Sequence, residues 1–166
     1  ALFATALFWA VDHMTDTVAA LSSAPGVGAI AVVRLSGPRS YQVLGNLLQE
    51  RDIDKLSPRQ AVGLPLYTAD DSDDRRFLDQ CVVLPYVKPD SYTGEDLVEI
   101  YCHGGNVVPT LLLENLIAGG ARLAAPGDFT RRAFLNGKMD LAQAESIESI
   151  VSSRTTSELR LAHQHY

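Results

Sequence analysis

Apolar and polar positions repeat with two periods along this chain, and each change of period marks an element. Residues 28–35 (GAIAVVRL) are β-branched, apolar and preceded by glycines, which predicts a strand. Ser36, Gly37 and Pro38 then open a helix, in which Val43, Leu44, Leu47 and Leu48 repeat at helical spacing. A second strand falls within 61–67, a third at 79–86 and a fourth at 96–103. Between the second and third, residues 70–76 (DDSDDRR) read as a solvated hairpin or loop. Asn106 is placed to cap a helix through Leu116 and Ile117, with Pro109 in its first turn and Gly119-Gly120 at its end. Residues 121–125 predict a short fifth strand, Pro126-Gly127-Asp128 a turn, and 129–136 a short helix closed by Gly137. Asp140 and Gln143 have capping-box spacing before a long helix striped by Leu141, Ala144, Ile147, Ile150 and Val151. Beyond Ser152 the period fades, as at the start of a further module. The whole predicts an α+β fold: a mixed sheet with about three helices, then the beginning of a helical domain.

Composition narrows the class. Of 166 residues, 46% are apolar and 20% charged, which excludes disordered and low-complexity chains. A net charge of -6 argues against a stand-alone nucleic-acid binder, which would carry a clustered basic excess. No apolar run is long enough for a membrane helix. Cys81 and Cys102 show no metal-ligand spacing and are too few to staple the fold, so a reducing, cytoplasmic setting is expected. Residues 1–11 (ALFATALFWAV) carry no basic residue and fit a signal peptide poorly. His13-Met14 is the dipeptide a common cloning site leaves before a start codon. Residues 1–13 are therefore read as a cloning-derived leader and Met14 as the natural start.

Candidate chemistry is sparse. There is no G-x-x-x-x-G-K-[ST] phosphate loop, no G-x-S-x-G and no H-E-x-x-H. Gly26-Val27-Gly28 precedes its strand and lacks a third glycine, so it is no dinucleotide fingerprint. Three charges sit in awkward places. Arg34 lies within an apolar strand, either snorkelling to water or held for a ligand. Glu99 alternates with Leu97, Tyr101 and His103, on a face that is either solvated or a groove. Lys138 stands between Gly137 and Asp140, as a solvated linker residue or a ligand contact. His103-Gly104-Gly105 is a tight turn or a backbone approach to a ligand. Arg131 and Arg132 pair with acids or face solvent.

Taken in order, the motifs are more specific than any one alone. They run Asp16-Thr17-Val18-Ala19-Ala20, Pro25-Gly26-Val27-Gly28 and Val33-Arg34-Leu35-Ser36-Gly37. Ser91-Tyr92-Thr93-Gly94-Glu95-Asp96, Glu99 and His103-Gly104-Gly105 follow. The series ends with Pro126-Gly127-Asp128-Phe129-Thr130, then Arg132 through Leu141, then Ala142-Gln143-Ala144-Glu145. It resembles the N-terminal domain of the tRNA modification GTPases of the MnmE (TrmE) family, from about Asp16 to at least Ile150.

That resemblance implies a domain like the tetrahydrofolate-binding domain of aminomethyltransferases. It implies binding of 5-formyltetrahydrofolate or 5,10-methylenetetrahydrofolate and constitutive homodimerisation. It assigns 14–138 to that domain and 139–166 to the start of a truncated helical domain, into which the family inserts a GTP-binding domain dependent on potassium and magnesium. With the FAD protein MnmG, the family modifies C5 of the wobble uridine of certain tRNAs. Arg34, Glu99 and Lys138 match its folate-contact positions, and the resemblance implies neither a catalytic residue nor a metal ligand in this stretch. The missing phosphate loop implies that the stretch alone does not hydrolyse GTP. An alternative function is a self-contained folate-dependent aminomethyl or formyl transferase, with Glu99, Asp96 or His103 as acid or base.

Overall fold

The computed structural model describes residues 16–69 and 75–164. The leader 1–13, the start at Met14 and most of the acidic loop, residues 70–74, lie outside the described residues. The strands are β1 (Val18–Leu21), β2 (Ile30–Ser36), β3 (Val62–Tyr67), β4 (Phe77–Tyr86), β5 (Leu97–His103) and β6 (Arg122–Leu123). The helices are α1 (Ser40–Gly45), α2 (Glu50–Ile53), α3 (Val107–Ala118), α4 (Asp128–Leu135), α5 (Leu141–Ser152) and α6 (Thr156–His163). The six strands form one sheet in the order β3-β4-β5-β2-β1-β6. Every pairing is antiparallel except β1 with β6, so the sheet is mixed and the fold α+β as expected.

Alternation along the strands decides which side is covered. Val33, Leu35, Leu64, Leu66, Cys81, Val83, Val98, Ile100 and Cys102 are buried on one face. Over them lie Val43, Leu44, Leu47 and Leu48 from the α1 region and Leu112 and Leu116 from α3. Complete burial of each such leucine contributes roughly 1.5–3 kcal/mol. The opposite face carries Val32, Arg34, Val82, Glu99 and Tyr101, all half-buried or exposed. Register then aligns Leu84, Glu99, Arg34 and Ala20 in one row across four strands.

The structure adds one strand that was not expected and differs locally from three expectations. Strand β1 (VAAL) has no alternating pattern to announce it; it exists because β2 and β6 pair with it from both sides. The Asn106 side chain does not cap α3; the Asn106 backbone carbonyl instead accepts the Thr110 hydroxyl at 2.7 Å. The helical period does not simply fade after Ser152. Helix α5 stops at Ser153, whose ψ is 129°, and Thr155 and Glu158 form a second capping box that opens α6. Six helices are described rather than about three and a start, two of them short. The capping box at Asp140 and Gln143 forms as the spacing suggested. The stripe of α5 stays largely open, with Leu141 57% and Val151 82% exposed beside a groove of about 700 Å³ against α4.

The Gly104-Gly105 pair shows two different requirements. Gly105 has a φ of 92° and free space around it, while a Cβ on Gly104 would lie 2.1 Å from the Gly28 carbonyl oxygen. Backbone cannot yield as a flexible side chain can. Gly104→Ala is therefore expected to destabilise the fold by about 1–3 kcal/mol or more, read as a lowered urea midpoint. Gly105→Ala should cost about 1–2 kcal/mol, from its left-handed backbone alone. Equal midpoints for Gly104→Ala and the parent would contradict the close approach.

Candidate functional site

The open sheet face brings the three awkward charges into one neighbourhood. Arg34 and Glu99 are direct partners in the β2–β5 register. The Arg34 Nε and NH2 groups both donate to Glu99 Oε1, at 3.2 and 2.7 Å. The Tyr101 hydroxyl donates to Glu99 Oε2 at 2.9 Å. The pair is thus loaded on one carboxylate oxygen rather than fork-to-fork. Oε2 keeps an acceptor lone pair, and Arg34 NH1 has no hydrogen-bond partner among the described residues. Burial, then the Glu99 carboxylate, push the Tyr101 hydroxyl above its ordinary pKa, and the same two causes raise Tyr86. Both phenols remain donors near neutral pH.

Aromatic rings hold the guanidinium from other directions. Arg34 Cζ lies 5.1 Å from the Tyr92 ring centre and 5.4 Å from that of Phe129. The Tyr92 hydroxyl is itself tied to Thr130 Oγ1 at 2.8 Å. Tyr92 lines two clefts. One, of about 260 Å³, is lined by Glu99, Lys138, Tyr86, Ser91 and Arg59. The other, of about 440 Å³, is lined by Arg34, Phe129, Thr130, Ser22 and Ile147. Lys138 donates to the Pro89 carbonyl at 3.0 Å, and its stem runs beside Gly94, where a Cβ would lie 3.2 Å from Lys138 Cγ.

Beneath the loop that carries Tyr92 lies a buried ionic network. The Arg132 side chain is 1% exposed. Its NH1 donates to both Glu95 carboxylate oxygens at 3.1 Å and to the Asp16 carbonyl at 3.0 Å, while NH2 binds the Asp16 carboxylate. Ser36 Oγ donates to Glu95 at 2.8 Å and sits 2.7 Å from Thr93 Oγ1. Arg122 Nε reaches Asp16 at 2.6 Å and its NH2 reaches Asp128 at 3.2 Å. Burial raises the Asp16 carboxyl, but the hydrogen bonds from Arg122 and Arg132 outweigh it and hold its pKa below 3.8. The sequence left Arg132 undecided between acids and solvent; it is the fully buried arginine, while Arg131 is a third exposed.

The other residues considered as acids or bases are occupied elsewhere. Asp96 Oδ1 accepts the Lys88 N–H at 3.0 Å. His103 Nδ1 lies 2.7 Å from Asp79 Oδ1 and its backbone N–H donates to Asp79 Oδ2 at 2.8 Å; His103 lines neither cleft. Cys81 and Cys102 are buried thiols whose pKa burial pushes up, that of Cys102 to about 11. Neither is a nucleophile at neutral pH. Among the described residues no cluster of three metal-ligating side chains occurs, and no helix is long and apolar enough to cross a membrane.

Sheet and clefts together define an α+β domain with a charged, aromatic-lined face opposite its packed core. The chain matches the family model described as GTP-binding protein TrmE N-terminus over residues 17–138, and it belongs to that family. It is 47% identical over 152 residues to the tRNA modification GTPase MnmE of Pseudothermotoga lettingae, covering 90% of this chain and 32% of that protein. It is 44% identical over 147 residues to the tRNA modification GTPase MnmE of Thermotoga maritima, covering 89% and 31%. The relative of the same name from Nitratiruptor is 44% identical over 140 residues, covering 84% and 30%. The chain therefore spans about a third of the length of these relatives.

Proposed function

We propose that this chain is the tetrahydrofolate-binding and dimerisation module of a cytoplasmic tRNA modification GTPase. The unit meant is residues 14–138, with 139–166 opening a helical domain. The observation that carries the reading is that Arg34 lines one, and Glu99 and Lys138 the other, of two clefts that share Tyr92 in their walls. The donor set suits a folate. A pterin edge offers parallel N–H donors to a carboxylate, and its O4 and an N5-formyl oxygen are acceptors for Arg or Lys. Glu99 Oε2, Arg34 NH1 and the Lys138 ammonium are the groups left to serve them. 5-Formyltetrahydrofolate or 5,10-methylenetetrahydrofolate, when bound, supplies a one-carbon unit. The residues of this chain bind and orient it.

In the whole protein, GTP, magnesium and potassium belong to a separate GTP-binding domain. The homodimer acts with the FAD protein MnmG on C5 of the wobble uridine of certain tRNAs. The alternative of a self-contained folate-dependent transferase has less support, because Glu99, Asp96 and His103 are each engaged by protein partners. Calorimetric titration of 5-formyltetrahydrofolate into the 166-residue chain is expected to show saturable binding, and GDP none. Flat heats with the folate, or saturable binding of GDP, would overturn the reading.

A further inference from the structure

We propose that Arg59 is an additional ligand-binding residue of the smaller cleft and holds the glutamate carboxylates of a bound folate. The inference rests on the folate reading above and extends it to the other end of the ligand. Residues 57–60 form a tight turn in which the Gln60 N–H donates to the Ser57 carbonyl at 3.1 Å. Pro58 occupies the second position and Arg59 the third, with a φ of 61°. A left-handed third position behind proline favours glycine or asparagine, because Cβ crowds the following carbonyl. Among the described residues Arg59 is the sole non-glycine with a positive φ. Side chains kept in such backbone are concentrated at ligand sites.

Its surroundings give that outlier a use. The Arg59 N–H donates to the Pro85 carbonyl at 2.7 Å, which pins the turn to the end of β4 beside Tyr86. The side chain lines the same cleft as Glu99 and Lys138. Of the two arginines that line these neighbouring clefts, Arg34 donates to Glu99. The Arg59 guanidinium has no such partner among the described residues, although it faces the cleft. Asp90 is the opposing charge there, against both Arg59 and Lys138, since Glu99 is already engaged by Arg34. The cleft thus has a surplus of positive charge away from Glu99. Tetrahydrofolates have that polarity: an N–H-rich, uncharged pterin at one end and a dianionic glutamate at the other. A planar guanidinium is suited to a carboxylate.

The test compares 5-formyltetrahydrofolate with 5-formyltetrahydropteroyl methylamide, in which neutral methylamine replaces the glutamate, by titration into the 166-residue chain. The parent chain is expected to prefer the glutamylated compound by about 5- to 20-fold, the range for one charge-assisted contact at a partly open site. Arg59→Ala and Arg59→Gly should each reduce that preference to within about twofold while binding the methylamide as the parent does. Glycine suits the left-handed backbone, so Arg59→Gly should melt at the parent temperature or above, separating loss of the cation from loss of the turn. A preference that survives in both variants overturns the assignment and leaves the folate reading standing. A parent chain that binds neither compound overturns the folate reading and this assignment with it.

Discussion

Arg132→Ala is expected to lower the stability of this chain by about 3–5 kcal/mol, the usual cost of breaking a buried ion pair from one side. The arginine is 1% exposed and satisfies Glu95 and Asp16 together, so its removal strands one poorly hydrated carboxylate and weakens another. Urea unfolding at pH 7 measures the difference. Its pH dependence has a definite sign. The Asp16 carboxyl is held below 3.8 in the fold, so its contribution is complete above that value and is lost as pH falls through the lower folded pKa. The gap between parent and variant should therefore narrow in that acid window. A loss below about 1 kcal/mol, as for an exposed pair, would mean that Arg132 is not buried as described.

The second large effect concerns binding. Arg34→Ala and Glu99→Ala are each expected to weaken 5-formyltetrahydrofolate by about 2–5 kcal/mol, tens-fold or more. Because the two side chains hold each other, removing one also misplaces its partner. The double variant should then lose clearly less than the sum of the single losses, the mark of residues in contact. Lys138→Ala should cost less, since its ammonium is exposed and pairs only with a carbonyl among the described residues. Calorimetry on the three single variants and the double variant tests both points. Parent-like affinity in the single variants would remove these residues from the site, and strict additivity would contradict their coupling.

The parts legible in the sequence were those with a local cause. Strands β2 to β5 declare themselves because one face must be apolar, and Asp140 with Gln143 announces a helix start. Arg34 and Glu99 stood out as charges on strands whose neighbours are apolar. Their pairing was not legible, because it depends on β2 lying next to β5, a fact of topology rather than of either segment. Arg131 and Arg132 are chemically identical neighbours, and only the seating of α4 over Asp16 and Glu95 separates the solvated one from the buried one. Arg59 left one weak trace: proline before a residue that is not glycine in a short polar turn. Thr155 and Glu158 carried a capping signal that the fading of the apolar stripe obscured.

Strand β1 also has a bearing on how the chain is made. Its antiparallel partner β2 follows at once, but its other neighbour, β6, arrives only when Arg122 and Leu123 are present. The Arg132 clasp on Asp16 closes across 116 positions. At ribosomal speeds of about 5–20 residues per second, that delay is on the order of ten seconds. Throughout it the nascent β1 presents an open hydrogen-bonding edge and an unmatched carboxylate. The first of the described strands is thus among the last of them to be completed, and the window belongs to whatever shields nascent chains at the ribosome exit.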